Sequence, residues 1–399
     1  MPLGISVKCR QIAPSATLAL DAKVKEMQAN GVNVIGFAAG EPDFDTPLAI
    51  REAMKEAMDK GATRYTPVAG TLALRDAISA RMKADYGLCY ARDEIAVSNG
   101  AKHSLYNVFQ TILNPSDEVI IPTPCWVSYP EMVRMAGGTP VFVESKEEED
   151  FVPSMQAIEA AITPNTKAFI LTNPSNPNGN IWTKEQLIAL GNLAVKYSFY
   201  IISDEIYDKL VYDGIVHTSI ATLSDEIKAL TILVNGVSKT YAMTGFRIGY
   251  VAAAKEIISA LVNYQSQATS APNSAAQMAT VTALTMDQTC VEDMRQAFEA
   301  RRNALVKAVN AIEGMHCQKP EGAFYIMMNI VGLFGKKCDG TVIESSADFA
   351  NLLLEKAHVA IVPGHAFMAE GYCRLSYATS MENILEGMKR IANFVSQLT

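Results

Sequence analysis

Short apolar runs alternate with longer segments of helical periodicity along the middle of the chain. The runs typical of buried strands lie at 94–98, 118–121, 168–172, 199–203, 230–234 and 248–253. Residues 100–113 have a helical pattern, and Thr183 to Gln186 form a capping box that predicts a further helix start. Strands that alternate with helices in this way predict an α/β fold, with a mostly parallel sheet covered by helices on both faces.

The C-terminal part of the chain has a different pattern. Long helical segments cover 291–312 and 381–398, and we expect few strands between them. This change predicts a smaller C-terminal domain with a boundary near residue 290.

Composition and charge favour a protein that binds small metabolites. The chain has 399 residues, and 34 Lys and Arg against 42 Asp and Glu give a net charge of -8, which argues against a nucleic-acid surface. The acidic run at 147–150 is predicted to be a solvated turn. The 7 cysteines form no C-x-x-C pair and the 5 histidines lack metal-ligand spacing, so we expect reduced thiols and no metal site.

The same features predict where in the cell the protein is located. No apolar run approaches the length of a membrane span, so we expect no membrane association. Reduced thiols are typical of a cytoplasmic protein, or of an organelle matrix protein whose transit peptide was removed.

Polar residues follow several of the predicted strands. The run at 168–172 leads into a doubled Asn-Pro turn at 173–179, the next run leads into Asp204 and Tyr207, and a third leads to Lys239. Ligands of open α/β sheets bind at this edge. A lysine among apolar neighbours has a lowered pKa and can attack an aldehyde carbon. Alternatively, Lys239 extends to solvent and Asp204 caps a helix.

A second group of residues is suited to a phosphate and a planar ring. Gly100, Ala101 and Lys102 open a helix directly after a strand, so their N–H groups can bind a phosphate. Arg247 offers a planar fork to the same phosphate, or else makes a surface ion pair. Trp126 follows a strand in a Pro-rich loop, where it can stack on a ring or pack in the core.

Further motifs accompany these residues in a fixed order. They are Ala-Gly-Glu-Pro-Asp-Phe-Asp-Thr-Pro at 39–47, Arg-Tyr-Thr at 64–66, Ser-Asn-Gly-Ala-Lys at 98–102, Trp-Val-Ser-Tyr-Pro at 126–130 and Arg-Leu-Ser-Tyr-Ala at 374–378. With the Lys239 segment at 235–250, they make the chain resemble the class I/II aminotransferases of fold type I over nearly its whole length. The resemblance is to the bacterial and plant branch of aspartate aminotransferases, some of which also use prephenate. It implies a large PLP-binding domain at 46–289 and a smaller α+β domain formed by segments 1–45 and 290–399.

The resemblance implies pyridoxal 5'-phosphate (PLP) as the cofactor. Lys239 would bind PLP covalently and act as general base and acid, and Asp204 would keep the pyridinium nitrogen protonated. Tyr207 and Asn176 would hydrogen-bond the phenolic oxygen of PLP. The other implied cofactor contacts are Gly100, Ala101, Lys102, Ser238 and Arg247 at the phosphate, Trp126 against the ring, and Tyr65 from the second subunit of a homodimer.

The resemblance also implies a set of substrate contacts, namely Gly40, Lys102, Trp126, Asn176, Arg374 and Thr17. Arg374 would clamp the α-carboxylate in a bidentate manner, and Lys102 would bind the distal carboxylate of a dicarboxylic substrate. A threonine at the position of Thr17 accompanies this lysine in members that accept prephenate.

The expected reaction is transfer of an amino group between L-aspartate or L-glutamate and 2-oxoglutarate or oxaloacetate, with prephenate as a further substrate. Alternatives on the same fold are an aminotransferase of aromatic or alanine preference and a carbon-sulfur lyase. Asn178, Phe246 and Cys125 stand where the family often has Thr, Trp and Tyr, which leaves the substrate preference open. A PLP-sensing regulator would need a basic DNA-binding domain ahead of Gly40, and few residues precede Gly40.

Overall fold

The computed structural model describes residues 4–10, 12–13 and 16–399, apart from the side chains at 7, 8, 16–18 and 21. Its centre is a seven-stranded sheet in which the strand order is β1-β7-β6-β5-β4-β2-β3. The strands are β1 (Ile95–Ser98), β2 (Glu118–Thr123), β3 (Thr139–Glu144), β4 (Thr166–Thr172), β5 (Tyr200–Asp204), β6 (Thr231–Gly236) and β7 (Gly249–Ala252). All paired neighbours are parallel except β7, which is antiparallel to both β1 and β6.

The predicted mostly parallel sheet is confirmed, and each predicted strand is present with small shifts at its ends. The sequence pattern missed β3, which lies at the edge of the sheet. Only Val143 of this strand is buried, and Pro140 lies within it. An edge strand tolerates Pro and exposes much of its surface, and the short apolar run at 141–143 directly after Pro140 is not typical of a buried central strand.

Helices cover both faces of the sheet. Ile202 packs with the helix at 101–112, whereas its neighbour Ile201 packs with the helix at 184–197, and successive strand residues point to opposite faces. The helices are Val7–Arg10, Ala16–Ala29, Leu48–Asp59, Leu72–Tyr86, Ala101–Ile112, Ser128–Met135, Met155–Ala160, Lys184–Tyr197, Asp225–Leu230, Lys255–Ala268, Ser274–Thr285, Thr289–Val309, Ser346–Ala357 and Met381–Val395. The predicted capping box is confirmed, since Thr183 and Gln186 exchange hydrogen bonds of 2.8 and 3.2 Å.

The C-terminal part contains a second sheet. Its three strands are β8 (Tyr325–Asn329), β9 (Val362–Pro363) and β10 (Tyr372–Ser376), and β10 is antiparallel to both of the others. Short two-residue pairs join Ile35–Gly36 to Val359–Ala360 and Lys337–Cys338 to Thr341–Val342. The expectation of few strands in this part was therefore wrong. The two-residue strands carry no periodicity that a sequence pattern can reveal, but β8 and β10 were missed although each has five residues, as many as β5.

The second sheet has its own hydrophobic core, to which the loop after β5 also contributes. Helices 289–309, 346–357 and 381–395 pack around β8 and β10, together with Tyr207 and Leu210 from the loop after β5. The division into domains at 46 and 290 stays a prediction. In the part of the chain that the structure describes, no helix is both long enough and apolar enough to cross a membrane.

The prediction of a solvated turn at 147–150 is wrong at its first position. Glu148, Glu149 and Asp150 are exposed as expected, but Glu147 is buried. One oxygen of its carboxylate, Oε2, accepts three hydrogen bonds from the C-terminal part of the chain, which replace the water lost from this oxygen on burial.

Candidate active site

A cavity of about 360 Å³ opens at the carboxyl ends of β4, β5 and β6, between the two sheets. Its walls come from the loops after these strands, from the start of helix 101–112 and from strands β8 and β10. The lining residues are Ala38, Ala39, Gly40, Glu41, Ala101, Lys102, Leu105, Trp126, Tyr129, Thr172, Asn176, Asp204, Ile206, Tyr207, Ser238, Lys239, Thr244, Arg247, Tyr325 and Arg374. Most of the residues predicted to form a site therefore meet in one place.

Lys239 lies in the loop after β6 and points into the cavity. Its Nζ donates a hydrogen bond to the carbonyl oxygen of Gly40. Burial lowers the pKa of the Lys239 ammonium to about 8; the charge of Glu41 opposes this shift, whereas that of Arg247 adds to it. A substantial fraction of this amine is therefore uncharged slightly above neutral pH, as a nucleophile or a general base requires.

Asp204 ends β5 and is buried at the floor of the cavity. Its Oδ2 accepts a hydrogen bond of 2.7 Å from the phenol of Tyr129, and its Oδ1 accepts one of 3.2 Å from the backbone N–H of Ile206. Burial raises the pKa of Asp204 to about 6, although both hydrogen bonds oppose the shift. The carboxylate can thus hold a cationic N–H of a ligand, which would favour its charged form.

Tyr207 follows Asp204 on the same loop, and its hydroxyl lies 3.0 Å from the hydroxyl of Tyr325 on β8. Burial raises the pKa of Tyr207 well above its usual value, so the phenol is protonated at neutral pH. The pair links the loop after β5 to the second sheet and presents O–H groups to the cavity.

Arg374 projects from β10 and is buried, with 2% of its surface exposed. Its Nη1 donates to Oδ1 of Asn176 at 2.9 Å, and its Nη2 donates to the carbonyl oxygen of Ala38 at 3.1 Å. The guanidinium carbon lies 4.3 Å from the ring centroid of Tyr325 and 4.7 Å from that of Phe367. The contacts fix the plane of the guanidinium fork, which suits a carboxylate.

The opposite end of the cavity is suited to an anion. Gly100 precedes helix 101–112 with a φ of 87°, and a Cβ at this position would lie 2.8 Å from the guanidinium carbon of Arg247. Arg247 itself donates to the carbonyl oxygen of Thr244 at 2.8 Å. The N-terminus of the helix and the guanidinium therefore meet closely, and both attract negative charge. Ser238 is buried beside them and lines the cavity.

Lys102 lies at the rim of the cavity, where its Nζ is 4.8 Å from the ring centroid of Trp126. Loss of hydration lowers the pKa of Lys102, and the nearby charge of Arg247 lowers it further. Trp126 in turn packs edge-on against Tyr129, with ring centroids 5.2 Å apart. These contacts place a cation and an indole side by side on one wall.

Among the predicted residues that the structure describes, Tyr65 and Gly100 are absent from the lining of this cavity. Tyr65 is 96% exposed in the single chain, whereas Gly100 directly precedes Ala101, which lines the cavity. The side chain of Thr17 lies outside the described residues.

The geometry agrees with the comparisons to known proteins. The family model for aminotransferase class I and II matches residues 32–391. The chain belongs to this family. It is 48% identical over 393 residues to the aspartate aminotransferase of Geobacillus stearothermophilus, covering 98% of this chain and 99% of the relative. It is 45% identical over 397 residues to the aspartate/prephenate aminotransferase of Nitrosomonas europaea, covering 99% of this chain and 100% of the relative.

A solved structure supports the same assignment. The crystal structure of the aspartate aminotransferase from Rhizobium meliloti matches with a TM-score of 0.96 at 40% identity, and the match covers 100% of both chains. The predicted family, the fold class and the enzyme class are thus confirmed for this class I and II aminotransferase.

Several residues of this aminotransferase cavity had no role assigned from the sequence. Tyr129 lies in the Trp-Val-Ser-Tyr-Pro motif, so its proximity to Trp126 could have drawn attention to it. Tyr325 and Phe367 lie in apolar segments near the C-terminus and give no signal of their own. Glu41, which accepts a hydrogen bond of 2.7 Å from Thr244, lies in the Ala-Gly-Glu-Pro motif and is the acidic group that acts most strongly on Lys239.

Proposed function

We propose that this aminotransferase uses PLP to move an amino group between L-aspartate or L-glutamate and 2-oxoglutarate or oxaloacetate. One observation carries the proposal: a lysine of lowered pKa, a buried carboxylate and a buried arginine, at positions 239, 204 and 374, line the same cavity. The names of the relatives from Geobacillus stearothermophilus and Nitrosomonas europaea support aspartate as the substrate.

The residues present fit PLP. Gly100 lets the guanidinium of Arg247 approach the helix N-terminus closely, since a Cβ there would overlap it, so the two groups can contact the same phosphate. Asp204 lies at the floor to pair with a pyridinium N–H, and Trp126 lies on a wall that suits a ring. The Nε of Arg374 is buried without a hydrogen-bond partner in the described part of the chain, which leaves donor capacity for a carboxylate.

When bound, PLP would supply an electron sink for the substrate carbanion and a carrier for the amino group. Lys239 would take the proton from Cα of the amino donor and pass it to the cofactor carbon, and would make the reverse transfer to Cα of the 2-oxo acid in the second half-reaction, because its amine is uncharged readily and lies within the cavity. Asp204 holds the proton on the pyridine nitrogen. Tyr207 and Asn176 orient the phenolic oxygen, and their burial keeps water away from it.

The substrate would be held at both of its carboxylates. Arg374 binds the α-carboxylate through its planar fork, with Gly40 and Asn176 beside it. Lys102 provides the cation for the distal carboxylate, with Trp126 as its neighbour. Because Arg374 and Lys102 each offer a cation to one carboxylate, the cavity favours dicarboxylic amino acids over alanine.

Two finer features belong to the same proposal. Tyr65 completes the phosphate site of the partner subunit in a homodimer, which accounts for an aromatic side chain that is 96% exposed in the single chain.

Prephenate is a further substrate, supported by Lys102 and by the name of the Nitrosomonas europaea relative, with Thr17 as its second contact. We place the enzyme in the cytoplasm, or in an organelle matrix.

A donor panel tests the proposed substrate class. The purified enzyme should transfer the amino group of aspartate and glutamate efficiently, and that of alanine or tyrosine poorly. Lys102→Ala should raise the KM for aspartate roughly tenfold, because one charge-assisted hydrogen bond is lost, and should leave the KM for alanine unchanged. Lys167→Ala is the matched control, since Lys167 also lies over an aromatic ring, that of Tyr200, but outside the cavity.

The panel also decides between the alternatives. Fast turnover of alanine or tyrosine with none of aspartate would establish the aromatic or alanine preference instead. Release of a thiol from a sulfur amino acid, without amino transfer, would establish a carbon-sulfur lyase. Prephenate turnover is measured with the same enzyme and the same Lys102 variant.

A further inference from the structure

Glu147 lies in the loop after β3 and connects this loop to the second sheet. Its Oε2 accepts hydrogen bonds from three side chains of the C-terminal part: Nε2 of His316 at 3.1 Å, Nδ2 of Asn329 at 3.1 Å and the hydroxyl of Tyr372 at 2.9 Å. Its carbonyl oxygen accepts a further hydrogen bond from the amide of Gln318. A buried carboxylate with several donors is a strong and directional contact.

Apolar packing reinforces this junction. The ring of Phe151 lies edge-on to that of Tyr372, with centroids 5.7 Å apart and an interplanar angle of 75°. Phe151 is buried with Met327 and Ala369 in a separate small cluster. The polar and the apolar contacts of this loop therefore reach the same region of the second sheet.

The backbone of the loop adopts a conformation that needs such support. Asp150 has a φ of 53° and Phe151 has a φ of 54°, so two consecutive residues with side chains are in the left-handed region. Each costs roughly 1 kcal/mol relative to ordinary conformations. Such a conformation persists only where the surrounding contacts impose it.

The contacts of Glu147 lie on the same face of the second sheet as the candidate site. Tyr372 and Arg374 are two residues apart on β10, and Tyr325, Met327 and Asn329 occupy alternate positions on β8. Alternate residues of a strand share a face, and Asn329 is directly opposite Tyr372 in the register. Glu147 thus holds one end of the strand pair whose other positions carry Arg374 and Tyr325.

We propose that Glu147 is a positioning residue that sets the place of Arg374, and with it the affinity for substrate carboxylates. The inference rests on the proposed function, in which Arg374 binds the α-carboxylate. Loss of the Glu147 contacts releases β10 from the loop after β3, and Arg374 then shifts relative to Asn176 and to the cofactor site. A small misplacement of a carboxylate clamp weakens substrate binding strongly.

The chain offers well-matched variants for a test. Glu147→Ala removes the acceptor. Glu147→Gln keeps one accepting oxygen for the three donors, and its amide NH₂ replaces Oε1, which has no hydrogen-bond partner in the described part of the chain. Glu148→Gln removes a neighbouring charge that is exposed and serves as the control. Arg374→Lys provides the reference for a damaged clamp.

The first measurement is the KM and kcat for aspartate. The second is the Kd of the PLP-loaded enzyme for maleate, a dicarboxylate, and the change in cofactor absorbance reports its binding. Glu147→Ala should raise the KM and this Kd roughly tenfold while kcat changes less, and Glu147→Gln should stay within about threefold of the wild type. Glu148→Gln should match the wild type. The stoichiometry of bound PLP should be the same in all variants.

Each pattern of results has one meaning. Weakened maleate binding in Arg374→Lys with normal binding in Glu147→Ala overturns the positioning role and leaves the proposed function intact, even if Glu147→Ala has a lower Tm. Normal maleate binding in both variants overturns both statements. If Glu147→Ala does not fold, Tyr372→Phe replaces it, because it removes one donor and keeps the ring against Phe151; unchanged maleate binding in that variant overturns the inference.

Discussion

Tyr129 donates a hydrogen bond of 2.7 Å to Asp204, and the two side chains are buried together at the floor of the cavity. The phenol hydroxyl also lies 2.7 Å from the hydroxyl of Thr172 at the end of β4. Tyr129 therefore fixes the orientation of the Asp204 carboxylate and lowers its pKa against the effect of burial.

Replacing Tyr129 with Phe should weaken PLP binding. The pKa of Asp204, now about 6, should rise further because the opposing hydrogen bond is lost, so less of the carboxylate is charged at neutral pH. A charge-assisted hydrogen bond of this kind corresponds to roughly a tenfold change in affinity. Equilibrium titration of the apo-protein with PLP measures the effect, which should be larger at pH 6 than at pH 8.

Tyr264→Phe is the control for the Tyr129 variant. It also removes one hydroxyl from a hydrogen-bonded pair, with Tyr106, but Tyr264 does not line the cavity. Its PLP affinity should equal that of the wild type. Equal PLP affinity of Tyr129→Phe and wild type at both pH values would show that Tyr129 does not orient Asp204.

Covalent capture of PLP by Lys239 should depend on pH with a midpoint near 8. At the pKa of about 8 that burial gives Lys239, about a tenth of the amine is uncharged at pH 7 and about nine tenths at pH 9. The capture rate by apo-protein should therefore rise by roughly an order of magnitude over this range. Absorbance at the wavelength of the protein-bound cofactor follows the rate. The reaction of PLP with acetyl-lysine amide is the reference, and its rate should rise about a hundredfold over the same range because its amine keeps the ordinary lysine pKa.

Glu41→Gln shows whether local charges set this midpoint. The carboxylate of Glu41 raises the pKa of Lys239, so its removal should move the midpoint to lower pH and increase the capture rate at pH 7. A midpoint near the ordinary lysine value in the wild type, or an upward shift in Glu41→Gln, would contradict the assigned electrostatics.

The sequence could predict this fold and site only where local patterns carry the information. Strands β4, β5 and β6 are continuous apolar runs followed by polar residues, so both the strands and the positions of Asn176, Asp204 and Lys239 could be predicted. The helix N-terminus at Gly100 follows a strand directly and was predictable for the same reason. These residues meet because parallel strands bring their carboxyl ends to one edge.

The remaining residues of the site owe their positions to contacts between distant parts of the chain. Tyr325 lies within a buried apolar strand, and nothing local distinguishes it from a core residue until β8 packs beside the loop of Tyr207. Glu147 lies in an acidic run that is typical of solvated turns, and its donors come from residues far away in the sequence. Such positions depend on how the second sheet packs against the loops after β3 and β5, which no local sequence pattern encodes.

Gly100→Ala should weaken PLP binding without unfolding the protein. The new Cβ would lie 2.8 Å from the guanidinium carbon of Arg247, so the arginine must move away from the helix N-terminus. Gly87→Ala is a matched control, because Gly87 also has a positive φ, of 71°, but no atom lies within 4 Å of the Cβ that would be added. Both variants should lose roughly 1 kcal/mol of stability from backbone strain.

Only Gly100→Ala should show an increased Kd for PLP, and inorganic phosphate should compete less well with PLP in this variant. Thermal unfolding of the apo-proteins measures the strain, and titration with PLP measures the phosphate site. The same PLP affinity in both variants would mean that Gly100 and Arg247 do not form the phosphate site.

The ion pair between Arg302 and Asp213 should make stability depend on pH in the acid range. Arg302 is fully buried, and its Nη1 and Nη2 donate to the two carboxylate oxygens of Asp213 at 2.7 and 2.9 Å. The hydrogen bonds from Arg302 lower the pKa of Asp213 from 3.8 to about 2. A lowered folded-state pKa stabilises the protein above the unfolded-state pKa, and the stabilisation is lost as pH falls from about 4 towards 2.

Asp213→Asn should therefore lower the Tm at pH 7, and the difference from wild type should shrink as the pH falls below 4. The direct contribution is about 1 kcal/mol after allowing for the 38% exposure of the Asp213 side chain, and buried Arg302, left with Glu299 as its remaining carboxylate partner at 3.5 Å, adds to it. Asn suits the position because Asp213 has a φ of 57°, which Asn adopts readily. Asp339→Asn, which breaks an exposed ion pair with Lys356, should leave the Tm unchanged. A difference between Asp213→Asn and wild type that stays constant from pH 7 to pH 3 would rule out the ion pair as its source.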